Sequence, residues 1–80
     1  MRLLDQRSEK SLQSVTVYLT KDEAEELRDS VIGLLNEPPF HAHNHIYSKD
    51  YKKELTICIY NEDDLAGFDE RSKRLIVSDE

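Results

Sequence analysis

The hydrophobic pattern changes period at one residue, Thr20, and that change limits what the chain can fold into. Before it, Val15, Val17 and Leu19 alternate with Thr16, Tyr18 and Thr20. Period two with β-branched residues predicts a half-buried strand. After it, Ala24, Leu27, Val31, Leu34 and Leu35 recur at helical spacing, with Ile32 on the flank. Thr20-Lys21-Asp22-Glu23 matches a capping box, in which the Thr20 hydroxyl accepts from the Glu23 amide and the Glu23 carboxylate accepts from the Thr20 amide. The helix is predicted from about Lys21 to about Asn36. Pro38 and Pro39 stop it, because proline lacks an amide donor and pushes the preceding residue out of the helical region.

Two further strands are predicted after the prolines. Phe40–Tyr47 alternates, with Phe40, Ala42, Asn44 and Ile46 on one side and His41, His43, His45 and Tyr47 on the other. Lys53–Tyr60 places Leu55, Ile57 and Ile59 on one face and Glu54, Thr56, Cys58 and Tyr60 on the other. Ser48 to Lys52 supplies turn-compatible residues, so the two strands are expected as an antiparallel hairpin with Ile46 opposite Leu55. That register sets His43 opposite Cys58, His45 opposite Thr56 and His41 opposite Tyr60. The predicted fold is α+β, a single β-α-β-β domain with one helix on a three-stranded sheet. Residues 1–13 read as a loose N-terminal arm, 14–60 as the core and 61–80 as a tail element, either a short helix capped by Asp69 or a short edge strand at Leu75–Val77.

Size and charge exclude several function classes. Eighty residues make one small domain with a thin core and little room for a deep enzyme pocket. Asp and Glu outnumber Lys and Arg by 17 to 11, for a net charge of −6. This disfavours nucleic acid and anionic membranes as partners. No apolar run approaches a membrane helix, and Asp5 interrupts any signal-peptide core. Cys58 is the single cysteine, so no internal disulfide forms, and a cytoplasmic location is expected.

A lone helix leaves the other face of the sheet open, and there the chemistry-bearing residues collect. His41, His43, His45 and Cys58 offer imidazole and thiolate ligands of the kind zinc takes. A straight strand holds His41 and His45 about 13 Å apart, so two neighbouring histidines plus Cys58 form the candidate set. Tyr18, His41, His43, His45 and Tyr60 also suit a protein interface, including a homodimer, because each carries an apolar body and a polar tip. A solvated sheet face explains the same residues. Asp22, Glu25, Glu26 and Asp29 form an acidic stripe on the outer side of the helix, suited either to solubility or to steering a basic partner. No glycine-rich phosphate loop or serine nucleophile motif is present, and a Cys58–His43 pair on a flat sheet lacks an oxyanion hole, so no enzymatic activity is expected.

The run His41-Ala42-His43-Asn44-His45-Ile46, the strand Glu54-Leu55-Thr56-Ile57 and the helix entry Val17-Tyr18-Leu19-Thr20 resemble small bacterial immunity-type proteins. These are short acidic partners encoded beside polymorphic toxins, some built as β-α-β-β units with a His-x-His strand. The resemblance covers about residues 14–60 and leaves the tail unmatched. It implies a cytosolic protein that binds and blocks one toxin, without catalysis. The residues themselves leave open a small zinc-binding domain or a homodimeric accessory protein.

Overall fold

The computed structural model describes residues 1–36 and 43–80. The elements run β1 (Leu3–Asp5), β2 (Lys10–Leu12), α1 (Lys21–Asn36), β3 (His43–Tyr47), β4 (Glu54–Cys58) and α2 (Glu70–Ser78). The strands form two separate antiparallel pairs, β1 with β2 and β3 with β4. The α+β class is as expected, but the single three-stranded sheet is not. Val15–Thr20 joins no sheet among the described residues. Its strand pattern goes unexpressed because β propensity needs a neighbouring edge to pair with, and α1 leaves directly from this segment.

Helix α1 begins where its capping box places it. The Thr20 amide donates to Glu23 Oε1 at 2.8 Å and the Glu23 amide to Thr20 Oγ1 at 3.2 Å. The helix then rests on β3, where Asn44 Nδ2 donates to the Ser30 carbonyl at 3.2 Å. The face that α1 turns inward is not the expected one. Glu23, Leu27, Ser30 and Leu34 point inward, while Val31 and Leu35 stay exposed. The inward set keeps helical spacing, but it includes two polar residues. Only Leu34 of α1 is buried.

The second hairpin has the predicted register: His43 opposite Cys58, His45 opposite Thr56 and Ile46 opposite Leu55. The expected pairing of His41 with Tyr60 lies outside the described residues. Ser48 and Asp50 build the turn. Asp50 Oδ1 accepts from the Ser48 hydroxyl at 2.6 Å and from the Lys52 amide at 3.0 Å, and Ser48 Oγ accepts from the Lys53 amide at 3.1 Å. Tyr51 sits in the left-handed region at φ 58°, a conformation usually left to glycine or asparagine.

Residues 1–13 form a hairpin rather than a loose arm. Asp5 directs it: Oδ1 accepts from the Arg7 amide at 3.0 Å, and the Asp5 carbonyl accepts from Glu9 at 2.8 Å, with Glu9 left-handed at φ 59°. This hairpin is tied to α2. Arg2 Nε donates to the Leu75 and Ile76 carbonyls at 3.1 Å each, and Arg71 reaches the Glu9 and Glu80 carbonyls. Arg2 thus places positive charge on the carbonyl end of the helix, where the dipole favours it. Helix α2 takes Asp69 as N-cap, as expected, with Oδ1 accepting from the Ser72 amide at 2.7 Å. Its far end closes on Asp79 at φ 55°.

The caps have a pH consequence. Backbone hydrogen bonds hold the carboxyls of Glu23, Asp69 and Asp5 below their usual values, and the Ser48 hydroxyl does the same for Asp50. Acids depressed by folding stabilise the native state fully above the ordinary carboxylate range, and that contribution is lost as pH falls through it. The melting temperature is therefore expected to be level near neutrality and to drop as pH falls below about 4.5. A melting temperature that holds or rises down to pH 3 would contradict the capping role.

Candidate functional site: an aromatic strand and an unpartnered helix face

The outer face of β3 and β4 carries a ladder of rings. His43 and His45 lie 5.0 Å apart between centroids at 87°, His45 and Tyr47 6.3 Å apart at 27°, and Tyr47 and Tyr51 5.9 Å apart at 39°. Alternation along β3 places the first three on one side, and the left-handed turn brings Tyr51 back beneath Tyr47. His45 is fixed across the hairpin. Its Nδ1 lies 2.5 Å from Glu54 Oε1 and 2.9 Å from Thr56 Oγ1, while the Thr56 hydroxyl donates to Glu54 Oε1 at 3.0 Å. A carboxylate only accepts and the Thr56 proton is already used, so the His45 ring proton belongs on Nδ1. In the neutral ring this leaves Nε2 as the lone-pair nitrogen.

His43 and Cys58 face one another in the register, as the sequence predicted. They border a cavity of about 590 Å³ together with His45, Thr56, Phe68 and Ser72. Partial burial pushes the Cys58 thiol up from its usual pKa, although the residue keeps contact with solvent. It therefore stays protonated at neutral pH, which weakens it both as a metal ligand and as a nucleophile. Among the described residues no group of three His, Cys, Asp or Glu is arranged to hold a metal ion. His41, the remaining candidate ligand, lies outside the described residues.

The other expected contact residues are dispersed. Tyr60 is half-buried beside a second cavity, of about 520 Å³, with Ile57, Phe68, Leu75 and Ile76. Tyr18 is not on the hairpin, because its segment is not a strand of that sheet. It stands almost wholly in solvent, at 91% exposure. Asp22, Glu26 and Asp29 are exposed along α1, and Glu25 is half-buried. Asp29 pairs with Arg28 at 3.0 Å and Glu25 with Lys21 at 4.0 Å.

Beside these acids lie apolar residues that the sequence placed in the core, Val31 and Leu35, or on its flank, Ile32. Val31, Ile32 and Leu35 are 39%, 49% and 61% exposed. At about 100° per residue Val31, Ala24 and Leu35 form an arc next to the inward face; Arg28 and Lys21 follow, then Ile32, and Glu25, Asp29, Asp22 and Glu26 continue round the helix. The signal was in the sequence: α1 has a wider apolar arc than one two-stranded sheet can cover. Among the described residues no helix is long and apolar enough to cross a membrane. No family model matches the chain, and no curated protein or solved structure matches it either.

Proposed function

We propose that the chain is a non-enzymatic protein-binding module whose contact surface is the outer face of α1. The observation behind this reading is the half-used helix: Leu34 is buried, while Val31, Ile32 and Leu35 face water beside Asp22, Glu25, Glu26 and Asp29. Exposed apolar side chains gain free energy when covered, at roughly 25 cal/mol per Å². The neighbouring carboxylates select a partner with a complementary basic surface and raise its association rate. An immunity-type inhibitor of a toxin with a positively charged active face is the concrete form of this function. The ring ladder on β3 adds aromatic area that could extend the contact.

A photo-crosslinking amino acid at position 35, expressed in the source cell, tests the reading. A discrete adduct with a basic protein is expected from Leu35 and not from the same group at Ser8. Adding Glu25→Lys and Asp29→Lys should weaken the adduct by about tenfold or more at low salt. Equal labelling from both positions, or an adduct indifferent to the charge reversal, would remove the α1 face as the binding surface.

A further inference from the structure

We propose that the segment Val15–Leu19 is a self-pairing strand, along which two copies of this chain join antiparallel about a two-fold axis through Val17. The segment alternates β-branched and apolar residues, yet among the described residues no hydrogen bond engages the main chain of residues 14–19. Val15 is 54% exposed and Val17 47%. Such a segment presents a row of unpaired donors and acceptors, the usual template for strand addition.

The charge pattern selects a second copy as the occupant. Each chain carries −6, so two copies repel unless they meet where charge is absent. Ser11–Thr20 contains no Asp, Glu, Lys or Arg, in a chain that is 35% charged. A two-fold register through Val17 sets Val15 against Leu19 of the second copy and Thr16 against its Tyr18. Ser14 then meets Thr20, and the first charged side chain beyond the segment, Lys21, falls opposite the uncharged Gln13. Apolar therefore meets apolar, hydroxyl-bearing residues meet each other, and no like charges are opposed. Pairing α1 with α1 would instead bring the acidic stripes together. The usual guards of an open edge (a lysine, a proline or an inward charge) are all missing from Val15–Leu19.

This surface is distinct from the outer face of α1, so either reading can fail alone. Sedimentation equilibrium of the full chain from about 1 to 200 µM spans weak and moderate association. The expected result is a mass of twice 9.4 kDa at the upper end. Val17→Asp opposes two carboxylates on the axis, and Val17→Pro removes a ladder donor; each is expected to raise the dimer Kd by at least about 30-fold. Neither removes a native hydrogen bond, so both variants should keep the wild-type circular dichroism spectrum. Leu35→Asp should leave the dimer unchanged. A monomer at every concentration, a dimer indifferent to both Val17 variants, or one dissociated by Leu35→Asp would each overturn the proposal.

Discussion

Ile46→Ala is expected to lower the free energy of unfolding by about 3 kcal/mol, within the range for buried aliphatic truncations. Ile46 is only 4% exposed and sits opposite Leu55 in the hairpin that carries α1. Among the described residues just three apolar side chains are buried, Leu34, Ile46 and Leu75, so few neighbours can close the gap. An 80-residue domain holds about 4–12 kcal/mol in total, so this one change removes a large part of the stability. Urea denaturation reads it as a lower midpoint at constant slope. Leu35→Ala is the control, because an exposed side chain should shift stability by no more than about 0.5 kcal/mol. Equal effects from the two variants would mean that the core lies elsewhere.

Leu75→Ala should cost about 2–4 kcal/mol as well, with its effect concentrated in a different part of the molecule. Leu75 is the buried residue of α2, and the Arg2 ties between α2 and the N-terminal segment run through main-chain groups at and beside it. Arg2 donates to the carbonyls of Leu75 and Ile76, and the Asp79 amide donates to that of Leu75 at 2.8 Å. Loosening α2 therefore loosens β1 and β2. Hydrogen exchange is the appropriate measurement, because it resolves local opening from global unfolding. Amides of α2 and of the β1–β2 pair should exchange at least about tenfold faster, with a smaller change in β3 and β4. Uniform acceleration across all four strands would show instead that the chain opens as one unit.

What could be read from the sequence was local. Thr20 and Glu23 lie three residues apart and cap each other whatever the rest of the chain does, so the start of α1 followed from chemistry alone. The β3–β4 register followed from the need to put Ile46 and Leu55 on one face, since a slip by one residue would turn both outward. Asp69 likewise announced α2. What failed depended on neighbours distant in sequence. Val15–Leu19 has the pattern of a strand, but pattern does not supply an edge. The inward face of α1 includes Ser30, whose carbonyl accepts from Asn44, a contact that no periodicity shows. The first hairpin was missed because it rests on the Asp5 carboxylate and a left-handed Glu9 rather than on alternation. The histidine face was partly legible: the His43–Cys58 and His45–Thr56 pairings were predicted, whereas the Glu54 hold on His45 was not.

Both sheets close between neighbours in the chain, with Gln6 to Glu9 joining one pair of strands and Ser48 to Lys53 the other. Each helix cap is likewise formed within a single turn. Little loop-closure entropy has to be overcome before these contacts form. The hairpins and caps thus form ahead of the long closure that brings Arg2 to the Leu75 carbonyl, 73 residues away.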